Sequence, residues 1–339
     1  MAKTKVTLKE VALKAGVTPA TVSMVINNKK NISESTKKNV WKIIDELGYY
    51  PNIVARGLAT NKSNSIAVII PDLSANFAIE VMQGIKSRVN VASNDELPYS
   101  IQLYEMMGFS GIKNLGQMFK RIVGESRADG VIIIGQDATE EELDILQKSD
   151  CPSVVVSSYS EHNNCIYADD EKGGYIAGEY LATHGFQKIG IITHKTQELR
   201  TKGFIDALND HDIEIDPESI YYTSSLDIYA GQSMGERLLE DGLKEDVIFV
   251  ASNDIVAIGV MKSLKKAGVI IPDDIGFVGY DNIPAAEMVT PSLTTISQPL
   301  REMGEKAFNL LVNKIENGDN KRAELILTPS LVERESIIL

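Results

Sequence analysis

Six short runs of Val and Ile constrain this chain most: residues 66–70, 131–134, 154–156, 189–192, 247–250 and 275–278. Runs this short and uniformly apolar suit strands buried on both faces, which occur in parallel sheets whose connections are helices. Helix-period patterns separate them, so the class is α/β. The runs form two sets, before and after about residue 165, which implies two similar subdomains. Leu293 to Gln298 and the stretch from Thr328 onward then read as returning connections, giving each subdomain pieces of both halves of the chain.

Open parallel sheets bind ligands beyond the carboxyl ends of their strands. The residues that end these runs are polar: Asp72, Gln136, Asp137, Ser157, Ser158, Thr193, His194, Asn253, Asp254, Asp281 and Asn282. Any one of them serves equally well to open a loop or cap a helix. As a set they point to one cleft between the subdomains.

The first 62 residues are of another kind. The whole chain of 339 residues carries a net charge of −13, yet residues 1–62 hold 11 Lys or Arg against 4 Asp or Glu. A basic segment on an acidic body fits a polyanion reader attached to something that does not itself bind polyanions. Thr7 and Glu10 have capping-box spacing, with Val11, Ala12 and Ala15 on one face. Gly16 permits a tight turn. Thr18 followed by Pro19 is a helix start, giving a second helix from Pro19 to about Asn27 with Val22, Val25 and Ile26 inward. Ala20, Ser23, Met24 and Asn27 then face outward. A third helix, opened by Ser33 or Ser35, buries Val40, Ile43, Ile44 and Leu47 and stops at Gly48. Two helices about a Gly-containing turn, with small polar residues outward on the second, follow the helix-turn-helix plan for the major groove. A small helical bundle is the alternative.

Tyr49 to Thr60, Y-Y-P-N-I-V-A-R-G-L-A-T, links head and body. Pro51 breaks the preceding helix, Asn52 can cap a new one, and Ile53 to Ala59 offers under two turns with Gly57 inside. Isolated helices shorter than about 12 residues are marginal in water, so this segment reads either as a hinge that folds only when held or as a plain interdomain linker.

The strings T-L-K-E-V-A-L-K-A-G-V-T-P-A-T-V-S-M-V-I-N and G-Y-Y-P-N-I-V-A-R-G-L-A resemble the lactose/galactose repressor family of bacterial transcription regulators, and the resemblance runs through nearly the whole chain. It implies a helix-turn-helix head (1–48), a hinge (49–62) and a periplasmic-binding-protein-like core (63–339) of two Rossmann-like subdomains, about 63–165 with 299–327, and 166–298 with 328–339. The recognition set it implies is Thr18, Pro19, Ala20, Thr21, Ser23, Met24 and Asn27, with Thr7 and Thr36 on phosphates. Leu58 would wedge into the minor groove of a pseudo-palindromic operator, with Asn52 and Ala55 beside it. R-T-K-G-F, A-S-N-D-I-V-A-I-G and G-Y-D-N place Arg200, Asn253 and Asp281 at effector-contacting positions, joined by Asp72, Phe77 and Gln298. The family further implies a homodimer, double-stranded DNA as partner, and a small effector (sugar, sugar phosphate or purine) or a phosphocarrier protein. Met24 departs from the family's usual long hydrogen-bonding or cationic side chain. S-A-N-F-A replaces an Asn-Pro-Phe-Phe-like segment, and the loop from Thr193 to Arg200 is shorter than usual.

Enzymatic readings find no support: there is no G-x-G-x-x-G, P-loop, H-E-x-x-H or G-x-S-x-G. His162, His184, His194 and His211 are isolated. Gly173, Gly174 and Gly178 fit close helix packing better than a phosphate cradle. Cys151 and Cys165 lack metal-site spacing. With no signal peptide and no run near the roughly 18 apolar residues of a membrane helix, a cytoplasmic regulator without cofactors is expected. A cytoplasmic small-molecule binding protein with a degenerate head is the other reading.

Overall fold

Thr7 opens the first helix, α1 (Leu8–Ala15), through the expected capping box: the Thr7 hydroxyl accepts from the Glu10 amide, and the Glu10 carboxylate accepts from the Thr7 amide. Thr18 Oγ1 accepts from the Thr21 amide at 3.1 Å at the start of α2 (Pro19–Ile26). Ser33 caps α3 (Glu34–Leu47), and Gly16 and Gly48 end α1 and α3 in the left-handed conformation that costs glycine least. The three apolar faces meet in one cluster built on Val11, Val22, Val25, Val40, Ile43 and Ile44. The computed structural model describes residues 6–26, 32–49, 63–73, 75–92, 99–106, 114–135, 138–318 and 321–338. Contacts divide the chain into two units, Met1–Asn64 and Ser65–Leu339.

In the larger unit the six apolar runs are strands: β1 (Ser65–Ile70), β3 (Gly130–Ile134), β4 (Ser153–Val156), β6 (Ile189–Thr193), β8 (Val247–Val250) and β9 (Gly276–Asp281). All six are buried along their whole length. Full burial of each Val or Ile side chain contributes roughly 1.5–3 kcal/mol. Six further strands are shorter or more polar: β2 (Ser100–Glu105), β5 (Asn164–Ala168), β7 (Ile220–Tyr222), β10 (Thr294–Ser297), β11 (Glu324–Leu327) and β12 (Ser330–Val332). The sheets run β11-β5-β4-β3-β1-β2 and β12-β10-β9-β8-β6-β7. All pairings are parallel except β10 with β12.

In the first half, α4 (Asn76–Ala92) and α12 (Leu300–Asn317) cover one face of the sheet, while α5 (Leu115–Gly124) and α6 (Glu140–Gln147) cover the other. The second half uses α7 (Asp170–Thr183) with α8 (Glu198–Asp210), and α9 (Ile228–Asp241) with α10 (Asp254–Lys266); a short helix, α11 (Pro284–Met288), follows β9.

Two details differ from expectation. Leu293 to Gln298 is not merely a returning connection, because its centre is β10, paired with β9. Thr294 and Thr295 tolerate full burial there because Ser336 Oγ accepts from the Thr294 amide at 2.8 Å and Asp254 accepts from Thr295 Oγ1 at 2.6 Å. The first crossover between sheets also lies later than residue 165, since β5 belongs to the first sheet through Ala168.

Candidate functional site

The chain crosses between the sheets after Ala168, after Ser297 and between Leu327 and Ser330. Beside these crossings lies a pocket of about 420 Å³. Ser157, Ser158 and Tyr159 reach it from the end of β4, Tyr167 to Glu171 from the β5–α7 crossover, Leu199 from α8, Gln298 from the β10–α12 crossover and Ile326 from β11. This is where open sheets bind their ligands, outside the carboxyl ends of the strands.

Arg200 and Asp281 are each 7% exposed and are not in the lining, but each bonds a residue that is, Arg200 to Asp170 and Asp281 to Gln298. Arg200 Nε donates to Asp170 Oδ1 at 3.0 Å, and Nη1 donates to the carbonyls of Ala251 and Ser252 at 3.2 and 3.3 Å. The guanidinium lies 3.8 Å from the centre of the Tyr280 ring, whose hydroxyl donates to the same Asp170 oxygen at 2.9 Å. Asp281 Oδ1 stands 3.9 Å from Arg200 Nη1 and accepts from Gln298 Nε2 at 2.6 Å. Close backbone approach builds the arrangement: a Cβ on Gly174 would sit 2.0 Å from the Arg200 carbonyl oxygen, and one on Gly203 1.9 Å from that of Glu171. Only glycines let α7 and α8 approach closely enough to bring Asp170 to Arg200.

The turn after β9 aims Asp281. Asp281 and Asn282 take φ values of 114° and 58°, both strained for residues with a Cβ. Asp254, fully buried, accepts from the Ile283 amide at 3.0 Å, while Arg334 Nη2 donates to Asn282 Oδ1 at 2.7 Å. Burial pushes the Asp281 carboxyl up to about 6, against the pull of Arg200 and Gln298. Burial and the neighbouring Asp281 charge push Asp254 up to about 8. For Arg200, burial works against the charge, but Asp170, Tyr280 and Asp281 outweigh it and its pKa is raised.

Arg200, Asp281 and Gln298, expected to share the cleft, thus form one bonded group. Asn253 is placed differently: its Oδ1 accepts from the Val256 amide and its Nδ2 donates to the Leu226 carbonyl, so it caps α10 and does not line the pocket. Asp72 and Phe77 also stand outside the lining, Phe77 packing its ring over Gly135. Ser157 and Ser158 line the pocket, whereas His194 bonds Thr196 beside it. Gln136 and Asp137 lie outside the described residues. Asp170, Tyr167, Tyr159 and Tyr280 were missed. The signal for Asp170 and Tyr167 was C-I-Y-A-D-D, a β5 run too short and too polar to count as a strand by itself.

In the head, Ala20 and Met24 are exposed along α2, with Thr18 and Pro19 at its start and Thr21 and Ser23 half-buried. The hydroxyls of Thr7 and Thr36 are engaged locally, with Glu10 at 2.9 Å and Ser33 at 2.8 Å. Asn27, Asn52, Ala55 and Leu58 lie outside the described residues.

A model of the bacterial regulatory proteins of the lacI family matches residues 7–52, and one of a periplasmic binding protein-like domain matches 179–337. The HTH-type transcriptional repressor PurR of Vibrio atlanticus (strain LGP32) is 32% identical over 338 residues, 98% of each chain. The chain belongs to the lacI family of bacterial regulatory proteins. Among solved structures, the lac repressor dimer bound to operator and the anti-inducer ONPF aligns with a TM-score of 0.84 at 26% identity, covering 99% of this chain and 100% of that one. The regulator CelR in its cellobiose complex aligns with a TM-score of 0.71 at 25% identity, covering 98% and 100%. The family membership and the two-part fold read from the sequence are therefore shown.

Proposed function

We propose that this family member is a cytoplasmic transcriptional repressor without enzymatic activity. As a homodimer it binds a pseudo-palindromic operator, and a small effector in the inter-sheet cleft controls it. Similarity along 98% of the chain to a transcriptional repressor, head included, carries the reading. The exposed Ala20 and Met24 present α2 to the major groove, and Met24 offers only apolar contact, such as to a thymine methyl. A degenerate head is disfavoured because caps and apolar core are intact in it.

One short recognition helix reads too few bases for specificity, so two heads are needed. A second copy has a place to sit: Leu73, Ile79 and Leu103 are 60%, 43% and 43% exposed around an apolar groove of about 360 Å³ between α4 and β2. Exposed apolar patches of this kind mark association sites. No helix among the described residues is long and apolar enough to cross a membrane.

Leu58→Ala tests the reading by fluorescence anisotropy with an operator duplex. Specific affinity is expected to fall by at least tenfold while thermal stability and nonspecific binding persist. Unchanged operator affinity in the folded variant removes the minor-groove wedge.

A further inference from the structure

We infer that α2 reads the C5-methyl groups of pyrimidines in the major groove in place of hydrogen-bonding base edges. At the positions it touches it accepts thymine and 5-methylcytosine alike, and rejects cytosine and uracil. The inference rests on the head being an operator reader and specifies the chemistry it reads.

Base pairs are told apart in the major groove by their donors, their acceptors and the thymine methyl. The polar part of that code is read by side chains that fork, Arg or Lys on guanine and Asn or Gln on adenine. The helix P-A-T-V-S-M-V-I, Pro19 to Ile26, holds no charged residue and no side-chain amide. The hydroxyls at its start are engaged: those of Thr18 and Thr21 share a hydrogen bond of 2.9 Å, and Thr18 also accepts from the Thr21 amide. Thr21 and Ser23 are half-buried. The exposed residues of the helix are Pro19, Ala20 and Met24, all apolar, with Met24 38% exposed. The cations among the described residues of the head, Lys9, Lys14, Lys37, Lys38 and Lys42, stand on α1 and α3. They suit phosphates, whose contacts position a protein on DNA without specifying sequence.

Ala20 and Met24 are one helical turn apart, so they share a ridge and are separated by about 6 Å along the axis. Bases along a strand rise by about 3.4 Å, and the two side chains therefore reach neighbouring base pairs. An apolar side chain there gains by burying a methyl group, and gains nothing from O4 of thymine or N4 of cytosine. The methyl occupies the same corner of thymine and 5-methylcytosine and is missing from uracil and cytosine. It alone decides between them. The Met24 thioether suits this role, because it is flexible enough to fit against a methyl and offers only a weak acceptor to anything else. Burying one methyl-sized group favours binding about fourfold, hence about sixteenfold over two half-sites.

The test uses the full-length protein and the duplex it enriches from a randomised library, with affinity read by fluorescence anisotropy at fixed salt. Each thymine is replaced in turn by uracil, in both half-sites at once. At one or two thymines per half-site the loss is expected to be about sixteenfold. At those positions a 5-methylcytosine·guanine pair is expected to bind within about threefold of thymine·adenine, and an unmethylated cytosine·guanine pair at least fourfold more weakly than its methylated form. Met24→Ala, with folding checked by circular dichroism and Trp41 emission, is expected to bring the thymine-to-uracil affinity ratio close to one at one of these positions. A loss on uracil substitution below about fourfold at every thymine overturns the inference. So does equal binding of the cytosine and 5-methylcytosine duplexes, or a thymine-to-uracil ratio that Met24→Ala leaves unchanged everywhere. Enrichment of no duplex at all overturns the repressor reading and this inference with it, whereas an enriched duplex indifferent to methyl groups overturns the inference alone.

Discussion

The head and the core use polar residues in opposite ways. In the head, Thr7, Thr18 and Ser33 sit exposed at helix starts, where each hydroxyl satisfies amides that water would otherwise solvate. In the core, Arg200, Asp254 and Asp281 are buried, and each depends on partners from distant parts of the sequence. Losing a partner in the head returns a group to water, whereas in the core it strands a charge in a low-dielectric surrounding. A unit whose polar groups are locally satisfied keeps its fold while its exposed face changes, which suits DNA reading. A unit held by a long-range polar network registers what enters its cleft.

Arg200→Ala tests that contrast with the largest expected effect. It leaves Asp170 and Asp281 facing each other without their cation, and breaking a buried pair from one side costs about 3–5 kcal/mol. Chemical denaturation should show that loss in the core transition, with any separate head transition unmoved. A loss below about 1 kcal/mol would mean the network is solvated and the contrast false.

The pH dependence of core stability gives a smaller effect of definite sign. Asp281 and Asp254 are raised to about 6 and about 8, so the folded core binds their protons more tightly than the unfolded chain. Their contribution is fully present below the ordinary Asp range and is lost as pH rises through about 6 and then about 8. Core stability should therefore fall from pH 5 to 8.5, and Asp254→Asn should flatten the upper part of that fall. An Asp254→Asn profile that parallels the wild type would place the carboxylate in contact with water.

Thr7→Ala probes the head. Removing a helix N-cap costs about 1 kcal/mol, and the loss should be confined to the head, read from the emission of the lone Trp41, which is 45% exposed on α3. A core transition that moved equally would show the two units to be energetically one.

The contrast also explains what could be read from the sequence. Thr7, Thr18, Ser33, Gly16 and Gly48 act within a few residues of themselves, so their roles are visible in the local pattern. The six buried strands were visible because burial on both faces demands unbroken apolar side chains. β10 was obscured because Thr294 and Thr295 are polar, and what makes their burial tolerable, Ser336 and Asp254, lies about 40 residues away. Asp170 was missed for the same reason: its meaning comes from Arg200 and Tyr280, the latter 110 residues on. Asn253 was assigned to the effector by resemblance, while its own geometry makes it a helix cap.

On the reading proposed above, the head recognises a two-fold operator as part of a dimer. Selection of double-stranded DNA from a randomised library by the full-length protein, followed by sequencing of the bound fraction, tests it most directly. One enriched pseudo-palindrome with two half-sites is expected, bound with an affinity that falls steeply as salt rises. Enrichment of no sequence, or of a single unpaired half-site bound by a monomer, would contradict it.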